Sequence, residues 1–181
     1  MKMPIKIGGV VVICIAVLLV TVRATGFEPR ECSSAGVSWT CRLPGLWLRG
    51  NLVTTPVDDW SFTDNYQTIK VQTRDRFLGA YSVATYCVAY NKQLYLTSVY
   101  APGLPPYPRG RHWNENVARD PHVRLKIGDQ LYDRTLVYIT DPDLRTAVIR
   151  NKAKKYPKQI IAPGSFINVF HAVSDDEHAS N

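Results

Sequence analysis

Short runs in which apolar and polar residues alternate, separated by turn residues, limit the folds open to this chain more than any other feature. Ile69 and Val71 alternate with Lys70 and Gln72, as expected for a strand that buries one face. The runs VRLKI at residues 123–127 and QLYDRTLVYIT at residues 130–140 repeat this pattern. The sequence after about residue 51 therefore predicts a domain in which most of the core lies between strands.

Turn residues join these strands into hairpins. The run AYSVATYCVAY at residues 80–90 is apolar on both faces and rich in β-branched and aromatic residues, which indicates a strand covered on both sides or the wall of a closed barrel. Asn91 and Lys92 then favour a turn, because Asn tolerates a positive φ, and residues 93–100 return as the second strand. Gly128 and Asp129 mark a second hairpin.

Two helices are predicted between and after the hairpins. The first covers HWNENVARD at residues 112–120 and ends before Pro121. The second begins at Asp141, with Pro142 in its first turn, and a lysine-rich stretch at residues 152–155 lies near its C-terminus, where the helix dipole favours cations. A last strand at residues 165–173 completes an α+β domain built on a small antiparallel β-barrel with flanking helices.

The N-terminus carries a separate signal. Residues 7–22 form a run of 16 residues without a charge, between Lys6 and Arg23. This length lies between the core of a signal peptide and a full membrane span, so a cleaved signal and an uncleaved anchor are both open. Lys2 and Lys6 favour a cytoplasmic N-terminus, and either outcome places the domain outside the cytoplasm, on the periplasmic side in a bacterium.

These patterns divide the chain into four parts: residues 1–25 are the signal peptide or anchor, 26–50 a linker or cap, 51–173 the barrel domain, and 174–181 a disordered tail. Cys32 and Cys41 enclose eight residues and are predicted to form a disulfide in an oxidising compartment. Cys87 lies inside an apolar strand and is predicted to be a buried thiol.

Composition excludes some classes of function. The formal net charge is +7, and without the three basic residues that flank the apolar run it is +4, which is too mild for a nucleic-acid-binding surface. The four histidines are scattered and the cysteine spacing fits no zinc pattern, so no metal site is predicted. The sequence contains neither a Gly-x-Ser-x-Gly elbow nor a P-loop, and it identifies no catalytic residue.

An ordered set of motifs then gives a resemblance. The strand ending at Ser98 is followed by a Pro/Gly loop, Trp113, Asn116-Val117 and the run DPHV at residues 120–123. This order, with its spacing between Trp and Pro, resembles the split β-barrel flavin-binding superfamily, which includes pyridoxamine-phosphate oxidases and deazaflavin-dependent nitroreductases. The resemblance covers about residues 70–150 and implies a small antiparallel split β-barrel.

The resemblance also implies a cofactor, FMN or a deazaflavin, in a groove at the barrel, often at the interface of a homodimer. The residues that match the family's binding positions are Thr97, Ser98, Tyr100, Arg109, Arg111, Trp113 and Asn116. Hydroxyl groups and arginines would hold the phosphate, and the aromatic residues would cover the ring. Each residue also has a structural interpretation, as a strand end, a solvated loop residue, a core anchor or a brace for the turn.

Two functions follow from this resemblance. The first is an exported or membrane-tethered reductase that uses FMN or a deazaflavin to act on a small oxidant, such as a nitro compound or a quinone. The second is a non-catalytic split-barrel scaffold or small-ligand-binding module without a cofactor, because fold does not fix function.

Overall fold

The structure is a computed structural model and describes residues 4–30, 43–77 and 79–174. The helices are α1 (Pro4–Thr25), α2 (His112–Arg119) and α3 (Pro142–Lys155), together with a short 3-10 helix at Ser61–Asn65. The strands are β1 (Asn51–Leu52), β2 (Ile69–Thr73), β3 (Tyr81–Tyr90), β4 (Gln93–Tyr100), β5 (His122–Ile127), β6 (Gln130–Tyr138) and β7 (Phe166–Val173).

Six of the strands close an antiparallel barrel. Their order is β6-β5-β2-β3-β4-β7, and β7 pairs again with β6 to complete the ring. The short β1 pairs in parallel with the first residues of β6. The hairpin between β3 and β4 turns at Asn91 and Lys92, both with positive φ, as two-residue hairpins require. The predicted α+β barrel and its flanking helices are therefore confirmed.

The barrel interior and its outer surface form two separate apolar clusters. Along β4, Leu94 and Leu96 point into the interior with Trp113 and Phe170, whereas Tyr95 packs outward against Val148 of α3. The alternation of side chains along a strand causes this division. Cys87 is a fully buried free thiol of the interior cluster, which confirms the prediction made from its strand.

At the lysine-rich end of α3, the surroundings of Lys152 differ from those predicted from the helix dipole. Lys152 is 2% exposed, and its Nζ lies 5.0 Å from the centre of the Tyr86 ring and donates a hydrogen bond to Gln159 Oε1. Burial lowers the pKa of Lys152 to about 8. Lys152 therefore packs against the barrel, and the helix dipole is not the main reason for its position.

Helix α1 is apolar on all sides, and its last turn contacts the segment that leads to the barrel. Its residues Gly8–Thr25 have a mean hydropathy of 2.3, and none of these residues is buried within the described chain. A helix of this length and composition fits either a membrane anchor or a signal segment. Residues 31–42, which contain Cys32 and Cys41, and residues 175–181 of the predicted tail lie outside the described residues.

The described part of the segment before β1 lies on the outer face of the barrel. Glu28 forms ion pairs of 2.7 Å with Lys70 of β2 and Lys126 of β5, which are register partners. The chain also crosses over β3, where Gly45 exchanges backbone hydrogen bonds with Ser82. Glu28 therefore lies between two adjacent cations and reduces the repulsion between them.

We expect Glu28 to make the stability of the fold depend on pH. Burial alone would raise the pKa of Glu28, but hydrogen bonds from Lys126 and Lys70 outweigh it and lower the pKa to about 2. Because the folded pKa is depressed, this stabilisation is present above about pH 4.5 and is lost as the pH falls towards 2. Glu28→Gln should lower the free energy of unfolding by about 2 kcal/mol at pH 7, after allowance for solvent screening.

The measurement is thermal or urea unfolding of the full chain in detergent between pH 7 and pH 2. The difference between parent and Glu28→Gln should stay constant down to about pH 4.5 and shrink as the pH falls further towards 2. Asp58→Asn is the control, since Asp58 is an exposed carboxylate. A difference that is constant with pH would contradict the proposed role of the Glu28 carboxylate.

Candidate functional site

The end of β4 places three of the predicted site residues on different faces. Thr97 shares the outer face with Tyr95 and Val99, whereas Ser98 and Tyr100 point to the interior with Leu94 and Leu96. All three predicted residues are buried. Thr97 Oγ1 is a buried hydroxyl with no hydrogen-bond partner among the described residues.

Tyr100 belongs to a polar network that closes one end of the barrel. Its hydroxyl accepts a hydrogen bond of 2.7 Å from Asn114 Nδ2, and Tyr138 donates to Asn168 Oδ1 on the neighbouring strand. Burial raises the pKa of Tyr100, so the hydroxyl stays protonated at neutral pH. This network joins the N-terminal half of α2 to the barrel.

Trp113 and Asn116 hold α2 against the same end. Trp113 is in the interior cluster, with its ring centre 5.3 Å from that of Phe170. Asn116 is fully buried, donates from Nδ2 to Thr73 Oγ1 at 3.0 Å and accepts at Oδ1 from Arg119. In this structure both side chains pack within the protein, which agrees with the structural interpretations given for them.

Arg109 and Arg111 are the predicted site residues that lie at the surface. The loop between β4 and α2 brings them there through Gly110, which has a φ of +87°. A Cβ at Gly110 would lie 2.7 Å from Cε1 of Tyr100, so the loop can approach β4 closely only with glycine. Arg111 then donates from NH2 to the Val99 carbonyl at 2.9 Å.

Arg111 lies near three residues that are not among the predicted site residues. His112 Nε2 lies 2.7 Å from Asp75 Oδ2, and the Tyr81 ring makes an edge contact with the His112 ring at 4.6 Å. Burial and the charge of Asp75 raise the pKa of Tyr81, while the nearby Arg111 acts in the opposite direction. We call Asp75, Tyr81, Arg111 and His112 the surface cluster.

The fold creates the surface cluster from distant parts of the chain. Asp75 follows β2, Tyr81 begins β3, and Arg111 and His112 begin α2. Asp75 is 5% exposed at its side chain and also accepts a hydrogen bond from the amide of Phe77, so it is fixed in place. The sequence shows His112 beside Arg111, but it gives no signal that pairs His112 with a residue 37 positions earlier.

The donor set of this surface suits a phosphate group. Arg111 carries five N–H donors, of which the contact with Val99 uses one, and Arg109 adds a second exposed cation two residues away. His112 and Tyr81 add an imidazole and a half-buried aromatic ring. These residues fit the phosphate and one edge of a phosphorylated flavin, whereas Trp113 is too deeply buried to cover its ring. Among residues 4–30, 43–77 and 79–174, no three His, Cys, Asp or Glu side chains are grouped as a metal site would need.

Comparison with known proteins finds similar solved structures at low sequence identity. No family model matches the sequence, and no curated protein matches it. Similar solved structures include a conserved hypothetical protein from Mycobacterium tuberculosis (12% identity, 70% of this chain and 84% of that one, TM-score 0.49). Another is a NimC/NimA family protein from Clostridium acetobutylicum (8% identity, 59% of this chain and 73% of that one, TM-score 0.42). A third is an F420-H2 dependent reductase (19% identity, 59% of this chain and 94% of that one, TM-score 0.42). At these values the similarity transfers neither a ligand nor an activity to this chain.

Proposed function

We propose that this protein binds a phosphorylated flavin or deazaflavin at the surface cluster and reduces a small oxidant, such as a nitro compound or a quinone. The observation that carries the proposal is the exposed guanidinium of Arg111, held by the Val99 carbonyl beside Tyr81 and His112. A cation fixed in this way loses little side-chain entropy when it binds an anion. The motif resemblance supplies the class of ligand.

Arg109 and Arg111 would hold the phosphate. A guanidinium donates two parallel hydrogen bonds to a phosphate, and such charge-assisted bonds are stronger than neutral ones. Thr97, Ser98, Tyr100, Trp113 and Asn116 would act through the packing that fixes β4, the loop and α2. In this arrangement Tyr100 and Asn116 are positioning residues, since both reach the surface cluster only through other residues.

The cofactor would supply the hydride or electron chemistry when bound. Asp75 fixes the orientation of the His112 ring through the contact at Nε2, so that a proton at Nε2 is held between the two side chains. The opposite ring nitrogen, Nδ1, is then able to accept a proton or a hydrogen bond from a ligand. Tyr81 limits the movement of this ring through its edge contact.

We further propose that α1 tethers the barrel to a membrane with the barrel outside the cytoplasm, and that the protein acts as a homodimer. The apolar surface of α1 supports the tether. Arg109, Arg111 and His112 lie on an open surface, and a second copy would supply the wall that covers the cofactor ring.

A specific observation also favours a second function, a non-catalytic barrel. Trp113 and Asn116 have complete structural roles in the junction between α2 and the barrel. The motif resemblance at these two positions is therefore consistent with a scaffold that keeps the fold and binds no cofactor.

The visible absorption spectrum of the purified full chain separates the two functions. The proposal predicts a flavin or deazaflavin band, either as purified or after incubation with FMN or a deazaflavin and removal of the free ligand. An unrelated protein of similar size that binds no flavin, treated in the same way, controls for non-specific retention. A spectrum without either band after both incubations would favour the scaffold.

A further inference from the structure

A second cationic site lies beside the segment that joins α1 to the barrel. It is a groove of about 600 Å³ on the outer face of β2, β5 and β6. Its basic walls are formed by Arg23, Arg49, Arg74, Arg124 and Arg134. This arginine groove contains none of the residues that the motif resemblance assigns to the cofactor.

Among the described residues, the lining of the arginine groove holds more guanidinium groups than carboxylates. Arg124 forms a bidentate pair with Asp133, both bonds at 2.7 Å, and Arg74 contacts Asp120 at 3.0 Å. Asp133 lines the groove itself, whereas Asp120 reaches it only as the partner of Arg74. Arg134 also donates from Nη1 to the Asp133 carbonyl, and its guanidinium lies 5.0 Å from the centre of the Trp60 ring. A concave surface of this kind concentrates anions, because its walls exclude water and focus the field.

The groove begins where α1 ends. Arg23 lies in the last turn of α1, and its guanidinium is 4.5 Å from the centre of the Trp47 ring. Arg49 donates from NH2 to the Arg23 carbonyl, which satisfies one of the backbone acceptors that a helix C-terminus leaves open. A side-chain bond and a ring contact therefore connect the last turn of α1 to the wall of the groove.

The turn after α1 fixes this connection. Gly26 has a φ of +67° and donates its amide to the Val22 carbonyl, as glycines that end helices do. A Cβ at Gly26 would lie 2.7 Å from the Trp47 carbonyl oxygen, so the helix end approaches the barrel segment closely. The groove consequently keeps a set position relative to the end of the apolar helix.

The proposed tether places this end of α1 at the level of lipid headgroups. A helix of 22 residues is roughly 33 Å long, and the hydrocarbon core of a bilayer is about 30 Å thick. If α1 spans a membrane, Arg23 leaves the hydrocarbon at its end, with Trp47 at the interface where tryptophan is enriched. The other arginines then lie beside the phosphate groups of the lipids.

We propose that the arginine groove binds the headgroup phosphate of an anionic membrane lipid and so holds the barrel against the membrane surface. This inference rests on the tether proposed for α1 and is independent of the cofactor. The chemistry recognised is a phosphodiester monoanion in a headgroup that carries no compensating cation, and the membrane supplies it at high local concentration. Planar guanidinium groups suit its oxygens better than point charges would.

The test uses the full chain in uncharged detergent and follows its thermal unfolding during titration with short-chain phosphatidylglycerol, phosphatidylcholine or inorganic phosphate. Phosphatidylglycerol should raise the melting temperature in a saturable way, and the other two ligands should not do so at the same concentration. In the double variant Arg74→Gln/Arg134→Gln, the half-saturating concentration of phosphatidylglycerol should rise at least about tenfold.

The matched control is Arg109→Gln/Arg111→Gln, which removes two surface arginines elsewhere and should leave the titration with phosphatidylglycerol unchanged. Arg74→Gln alone, at a side chain that is 75% exposed, should shift the midpoint in the same direction without affecting folding. Equal effects of phosphatidylglycerol and phosphatidylcholine, or an unchanged midpoint in the Arg74 variants, would overturn the inference. Equal stabilisation by inorganic phosphate would also overturn it and would indicate a soluble phosphate ligand.

The same two double variants separate this inference from the proposed function. Titration with FMN should fail in Arg109→Gln/Arg111→Gln and succeed in Arg74→Gln/Arg134→Gln. Binding of FMN without selective binding of phosphatidylglycerol would refute the lipid site alone. Selective lipid binding without FMN binding by the parent would refute the cofactor proposal alone.

Discussion

Trp113→Ala is expected to lower the free energy of unfolding by about 3–5 kcal/mol, because it removes a large buried aromatic side chain from the barrel interior. The Trp113 ring packs near Phe170 and joins α2 to the strands, so the surrounding residues cannot close the space without moving the helix. For a domain of this size the melting temperature should fall by roughly 10–20 °C. Thermal unfolding of the full chain in detergent measures the change.

Trp113→Phe is the matched variant, since it keeps an aromatic ring of smaller size. Its loss of stability should be clearly smaller, and its affinity for FMN should equal that of the parent, because a buried residue acts on the ligand only through packing. If Trp113→Phe kept its stability but lost most of its affinity, Trp113 would have to contact the ligand directly, against the position described above.

Arg111→Ala is expected to act in the opposite way, on affinity and not on folding. A charge-assisted hydrogen bond to a phosphate contributes roughly 1.5–3 kcal/mol, so the affinity for FMN should fall by about ten- to a hundredfold. The melting temperature should change little, because Arg111 is exposed and makes one hydrogen bond to the backbone. Quenching of flavin fluorescence during titration measures the affinity.

Arg150→Ala provides the control for the loss of a positive charge. Arg150 is an exposed residue of α3, away from the loop that carries Arg111. Its removal changes the net charge of the protein by the same amount and should leave the affinity for FMN unaltered. A similar loss in both variants would mean that the general charge of the protein attracts FMN.

Local patterns in the sequence predict most of the barrel. The alternation at Ile69 and Val71, and the turn at Asn91 and Lys92, depend on contacts between near neighbours, and the structure confirms them. The closure of β6 against β7 joins residues such as Leu136 and Ala172, which are far apart in the chain. No local pattern specifies that pairing, although the order of strands and helices and the two apolar faces of residues 80–90 favour a barrel.

The candidate site was less predictable, because it depends on which face a residue occupies. Ser98 and Thr97 are adjacent in the sequence and point to opposite sides of β4, so a motif that contains both cannot place both on one ligand. The pairing of Asp75 with His112 and the ion pairs of Glu28 join distant segments, and no pattern in the sequence indicates either. The position of Lys152 near the end of a helix predicts a cation that the helix dipole favours, but its ammonium group lies against the Tyr86 ring of β3.

The most direct test of the central claim is a paired titration of the parent protein and Arg111→Ala with FMN and with riboflavin, which lacks the phosphate. The account predicts that Arg111→Ala weakens the binding of FMN by about ten- to a hundredfold and leaves the binding of riboflavin nearly unchanged. Equal losses for the two ligands, or the absence of FMN binding by the parent, would contradict the claim that Arg111 holds the phosphate of a flavin.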